Sequence, residues 1–154
     1  MGENGSEICF ESGKATMWLG ADGILHLVWT RNSTLLLEDA VEAIKTGEVL
    51  SGGRSLPLLV EINGNHLTPE LREHTLKHGT ASAVATVGVT STDRVQAAWM
   101  RRNSSIPQAY FTRREDAVEW IAALPHEGSP GASRSLRLPD STGSATAMRS
   151  LEPC

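Results

Sequence analysis

The sequence predicts an α/β fold, with a mixed, mainly parallel β-sheet of about five strands, about four helices and an opening β-hairpin. Three observations predict it. Short apolar, β-branched runs alternate with segments of helical period between residues 7 and 124. The first two runs are joined by Gly20-Ala21-Asp22-Gly23, which is turn chemistry. Each later run is separated from the next by a helical segment, the arrangement that right-handed parallel crossovers require.

The elements follow in order. Residues 14–19 and 24–30 are the strands of the antiparallel hairpin. Asn32-Ser33-Thr34 leads into a helix whose buried face is expected at Leu37, Ala40, Val41 and Ile44, and Gly52-Gly53 ends the connection. Residues 58–62, after Pro57, read as a buried strand stopped by Asn63-Gly64-Asn65. The next helix starts with Thr68 as N-cap, Pro69 at the first helical position and Glu70 beside the positive helix end. It ends at Lys77-His78 and Gly79. Residues 83–89 form another apolar run. Thr90 and Asp93 cap a helix over 94–102, with Val95, Ala98 and Trp99 on one face. Residues 107–111 make a short strand. Thr112-Arg113-Arg114-Glu115 has the form of a capping box, opening a last helix with Ala117, Val118, Ile121 and Leu124 inward.

Composition divides the chain of 154 residues in two. The α/β domain occupies 7–124. Residues 125–154 are rich in Ser, Pro, Gly, Thr and Ala, and their charges cancel: Arg134, Arg137 and Arg149 against Glu127, Asp140 and Glu152. Such a tail buries too little apolar surface to offset its ordering entropy and is expected to be disordered, with Leu136 to Leu138 as the stretch most able to dock.

Hydrophobic residues are 40% and charged residues 21%, the composition of a globular protein. No apolar run approaches the roughly 20 residues that span a bilayer, so no membrane insertion is expected. The first residues lack a basic segment followed by an apolar one, so a cytoplasmic location is expected. The net charge of -4, from 14 Lys+Arg and 18 Asp+Glu, supplies no overall field for nucleic acid. Cys9 and Cys154 form no Cys-x-x-Cys pair, so neither a zinc site nor a dithiol motif is written. Cys154 reads as an exposed thiol, a disulfide being unexpected in the cytoplasm.

The hairpin with Asp22-Gly23-Ile24-Leu25, the helix Leu37-Glu38-Asp39-Ala40, the strand Pro57-Leu58-Leu59-Val60-Glu61-Ile62 and the ending Phe111-x4-Asp116-Ala117-x2-Trp120-Ile121 resemble the SpoIIAA-like superfamily. That group includes the STAS domains: anti-sigma factor antagonists and cytoplasmic modules of sulfate transporters. Within it the chain resembles small stand-alone bacterial STAS-like proteins of unknown function, over nearly all of 7–124. The resemblance implies a regulatory module. It also points to a phosphorylatable Ser or Thr at the start of the helix after the third strand. Thr68 holds that position, but Leu67 stands where the family usually has Asp, and Pro69 follows. An N-cap role accounts for Thr68 without phosphate.

Glu70, His74 and His78 recur every four residues on one helix, with His66 nearby; this spacing suits a divalent metal or an ordinary solvated face. The solvated face is the simpler account. Arg101, Arg102, Arg113 and Arg114 flank one short connection and suggest an anion or partner patch. No Gly-x-Ser-x-Gly elbow, Gly-x-Gly-x-x-Gly or Walker loop occurs. The carboxylate pairs Asp39/Glu42 and Asp116/Glu119 read as solvated charges, and His26 stays unassigned. Trp18, Trp29, Trp99 and Trp120 are apportioned among core, interface and pocket, with core foremost.

The sequence thus predicts a cytoplasmic, homodimeric STAS-like module that works by protein contact, without catalysis, cofactor or metal. One alternative is a small-molecule or lipid carrier of the same fold, which needs an apolar cavity between sheet and helices. The other is a metal-dependent enzyme using Glu70, His74 and His78.

Overall fold

The computed structural model describes residues 7–125. The expected tail beyond Pro125, with Cys154, lies outside the described residues; among the described residues Cys9 is disulfide-bonded, which corrects the expectation that no disulfide forms. The hairpin forms as its turn chemistry requires: β2 (Ala15–Leu19) pairs antiparallel with β3 (Leu25–Trp29), Leu19 opposite Leu25. Gly23 adopts φ 82°, which side chains disfavour, and Asp22 Oδ1 accepts from Ile24 N at 3.0 Å. A two-residue strand, β1 (Ile8–Cys9), adds to the outer edge of β2.

The segment expected to lead directly into a helix first makes a short strand, β4 (Thr34–Leu35). It pairs in parallel with β6 (His66–Leu67), making a two-stranded sheet beside the main one. Helix α1 (Leu37–Ser51) starts only after it. Its N-terminus is closed by Asp39, whose Oδ2 accepts from Leu36 N at 2.8 Å. The same oxygen takes Lys14 Nζ at 2.8 Å.

The expected buried face of α1 is met at Ala40, which is buried, and at Ile44, which is half-buried against the cavity, and is corrected at Leu37 and Val41. Asp39, Ala40, Gly47 and Ser51 turn inward, while Leu37 and Val41 form an outer row at 41% and 36% exposure. Gly52 ends the helix at φ 67°, with Gly53 N donating to Glu48 O at 3.1 Å.

Three parallel strands complete the sheet: β5 (Pro57–Glu61), β7 (Ala83–Val87) and β8 (Gln108–Phe111). The order is β1-β2-β3-β5-β7-β8, six strands, antiparallel from β1 to β3 and parallel from β3 to β8. The crossovers are α1, α2 (Pro69–His78) and α3 (Ser91–Arg102). They share one face of the sheet. Helix α4 (Arg114–Ala123) covers β5, β7 and β8 on the other face.

Two capping expectations resolve differently. Thr90 and Asp93 form the reciprocal box at α3: Asp93 N donates to Thr90 Oγ1 at 3.0 Å, and Thr90 N donates to Asp93 Oδ2 at 2.9 Å. The Thr112–Glu115 box does not form, because α4 starts one residue later and Arg113, which has no acceptor, stands at its N-cap. Glu115 and Asp116 in the first turn still complement the helix end. On α3 the buried positions are Asp93 and Ala97, with Val95 outward at 65% exposure, so the face expected for Val95 is corrected.

Candidate functional site: an apolar cavity between sheet and helices

Strand alternation assigns two faces to each central strand. On β5, Leu59 points toward α4 and is 0% exposed; Ala85 on β7 does the same, against Ala117 and Ile121. Leu58, Val60 and Val84 point to the opposite face and are only half-buried. Central parallel strands are ordinarily covered on both faces. Here one face is open beneath its helices.

The cause lies in α2. It has few large apolar residues, buries Leu71 alone, and packs against α1. The space left beneath it is a cavity of about 200 Å³. Leu58, Val60, Val84 and Thr86 form its floor, α2 roofs it through Leu71, Thr75 and Leu76, and α1 and α3 wall it through Ala43 and Met100. Gly47 lets α1 approach the sheet: a Cβ there would sit 3.1 Å from Met17 Cε. Arg72 of α2 lies over the Trp99 ring of α3, 4.4 Å from its centroid, joining roof to wall.

Polar contacts close the end of the cavity where the parallel strands finish. Asn65 Nδ2 donates to Thr30 O at 2.8 Å and to Ser33 O at 3.1 Å, and its Oδ1 accepts from Asn63 N at 3.0 Å. Gln96 of α3 accepts from Leu67 N at 2.8 Å and donates to Asn65 O at 2.9 Å. The buried Asp93 carboxylate accepts from the backbone N–H groups of Gly64, Val89 and Thr90. Burial alone would push its carboxyl up. The donors at Thr90, Val89 and Gly64 outweigh that and hold it below the ordinary carboxylate range. Burial raises the Tyr110 phenol nearby, the Asp93 charge adds to the rise, and Arg94 opposes it.

The other end is open. The lining residues that are exposed, Arg54, Gly79, Thr80 and Ser105, all lie where β5, β7 and β8 begin. Among the described residues that line the cavity, Arg54 alone is charged. Its Nε donates to Ser51 O at 2.7 Å, at the carbonyl end of α1.

The residues singled out from sequence fall elsewhere. Thr68 Oγ1 donates to Leu35 O at 2.9 Å and accepts from Leu71 N at 3.3 Å, so its hydroxyl is engaged as an N-cap. Arg101 and Arg102 lie at the start of β8, whereas Arg113 and Arg114 lie beyond its end; four residues of strand, about 13 Å, separate them. Arg114 pairs with Glu61, and Arg113 with Glu115 at 3.6 Å. The structure therefore does not bring the four arginines into one patch. The His74 and His78 rings stand 4.5 Å apart, while His66 lies on β6. Among the described residues, no three of His, Cys, Asp and Glu are grouped to hold a metal ion.

Trp29 is core and lines the cavity. Trp120 tilts against Phe111, and Trp18 stacks on the buried His26, ring centroids 5.0 Å apart. The cavity itself was not read from the sequence. Its signal was the poverty of apolar residues in α2, together with Ala40, Ala43 and Gly47 on the inner side of α1.

The family model of a domain of unknown function, DUF7793, matches residues 17–124. The chain belongs to that family. The match runs from within β2 to the end of α4 of this DUF7793 domain. No curated protein matches it. Among solved structures, it is similar to an uncharacterized protein of the DUF3478 family, with a SpoIIAA-like fold, from Shewanella loihica PV-4. The TM-score is 0.53 and the identity 19%, covering 70% of this chain and 91% of the other. At that identity the likeness speaks for the fold alone. A protein of unknown function from Arthrobacter sp. FB24 is 30% identical, covering 77% of this chain and 99% of the other, with a TM-score of 0.29. The expected SpoIIAA-like, mixed α/β architecture is thus met. No described helix is long and apolar enough to cross a membrane.

Proposed function

We propose that this DUF7793 protein binds a small, largely apolar molecule in the cavity between its sheet and α1–α3, without covalent chemistry. The observation that carries the reading is the half-buried inner face of β5 and β7 beneath a helix that does not fill the layer. A cavity on the order of 150 Å³ lined by aliphatic side chains stays dry and takes up benzene. At about 200 Å³, this one suits a molecule of about six to ten non-hydrogen atoms. An occupant would restore the burial that Leu58, Val60 and Val84 lack, which favours binding by roughly 25 cal/mol per Å² of apolar surface removed from water.

A second reading, a protein-contact module acting as a homodimer, draws on one observation. Leu36, Leu37 and Val41 expose apolar surface together at the start of α1.

A native mass spectrum of the purified protein separates the two. The ligand reading expects a reproducible adduct of about 100–180 Da, the mass of such a molecule. A bare dimer that takes up no added octan-1-ol would overturn it in favour of the contact module.

A further inference from the structure

We infer that the ligand is a small amphiphile carrying one negative charge, its apolar part in the cavity and its anionic head on Arg54 at the mouth. The inference rests on the ligand-binding reading above and specifies the ligand's class. Polarity is graded along the cavity. The deep lining is mostly apolar, and Arg54, Thr80, Ser105 and Gln108 gather where it opens. A wholly apolar ligand would leave this rim without a partner, whereas an amphiphile placed head outward satisfies both parts.

The sign of the head follows from the charges at that end. No carboxylate lines the cavity among the described residues. The C-termini of α1, α2 and α3 all point this way, and their carbonyls carry partial negative charge. Basic groups more than answer them. Arg54 Nε engages the α1 end, Lys77 and His78 occupy the last turn of α2, and Arg101 and Arg102 that of α3. Glu48 is the single carboxylate in these three last turns. None of Arg54, Lys77, Arg101 and Arg102 is ion-paired among the described residues. Of these, Arg54 alone borders the cavity, and with Nε committed to Ser51 its two terminal nitrogens remain to face a head group. A guanidinium edge suits a carboxylate, which accepts two parallel hydrogen bonds.

The test is calorimetric titration of the full chain at low ionic strength with octanoate, octan-1-ol and octylammonium, three probes with one tail and different heads. Octanoate is expected to bind about 5-fold or more tighter than octan-1-ol, a modest factor because the mouth is solvated. Octylammonium is expected to bind weakest. Arg54→Gln should bring the ratio of octanoate to octan-1-ol affinity down towards one, and Arg54→Lys should keep part of the preference. Added salt should erode the preference for octanoate. Equal binding of octanoate and octan-1-ol, unaffected by Arg54→Gln, would overturn the anionic head and leave the cavity reading standing. Failure of all three probes to bind a protein with an intact melting transition would overturn both.

Discussion

The Gly64 N–H donates to both carboxylate oxygens of Asp93, at 3.0 and 3.3 Å, across 29 positions of sequence. Gly64 lies in the loop between β5 and β6, and Asp93 in the first turn of α3, so this contact ties α3 to the sheet where the parallel strands finish. The carboxylate also accepts from Val89 and Thr90, and it has no access to solvent.

Asp93→Asn keeps the shape but turns an amide N–H₂ toward backbone donors. A loss of about 2–4 kcal/mol in urea unfolding is expected, because buried donors are left unpaired. The pH dependence has a definite sign. The folded carboxyl lies below its ordinary value of 3.8, so its contribution is complete above about that pH. It is lost as pH falls through the depressed folded value. Asp93→Asn should flatten the stability curve in that acid range; an unchanged acid limb would contradict the assignment.

Lys14 and Asp39 form a second long-range tie, β2 edge to α1, at 2.8 Å. Asp39 is buried and Lys14 partly exposed. Lys14→Met is expected to cost about 1–3 kcal/mol, since it strands a buried carboxylate that still accepts from Leu36 N. The double variant Lys14→Met with Asp39→Asn should cost less than the sum of the two. Additivity in the double-mutant cycle would show that the pair is not coupled.

Leu58 and Leu59 offer an internal comparison on one strand. Leu59→Ala removes a side chain with no exposure and should cost about 2.5–5 kcal/mol. Leu58→Ala only enlarges an existing space and should cost about half as much or less. Equal losses in chemical denaturation would argue that the inner face is as well packed as the outer.

Arg72→Ala removes the guanidinium from the Trp99 ring. The expected cost is small, about 0.5–1 kcal/mol. The sharper readout is local: amide exchange should quicken in α2 more than in α4, because Arg72 ties α2 to α3 while α4 lies on the other face of the sheet. Uniform acceleration throughout the domain would contradict this.

The fold was legible where a local pattern dictates it. The Gly20 to Gly23 turn, the Thr90/Asp93 box, the Thr68-Pro69 helix start and the β-branched runs of the parallel strands all specify their elements within a few residues. Errors arose where tertiary contacts decide. Asp39, buried and held by Lys14 from a distant part of the chain, takes an inward place on α1, while Leu37 and Val41 face outward. The pairing of β4 with β6 claims Thr34 before the helix begins. Only a short connection separates Arg102 from Arg113 in sequence, yet β8 carries the chain across the sheet between them. The cavity was the least legible feature. A void is set by what α1, α2 and α3 fail to fill together, and no segment alone records it.

The most direct test of the central claim is a methyl-resolved NMR titration of the protein with octan-1-ol, a neutral probe independent of the inferred charge. The account predicts saturable shifts at the methyls of Leu58, Val60 and Val84, with Leu59 and Ile121 on the opposite face unmoved. Shifts spread evenly over both faces, or none at the inner face up to the solubility limit of the alcohol, would contradict it.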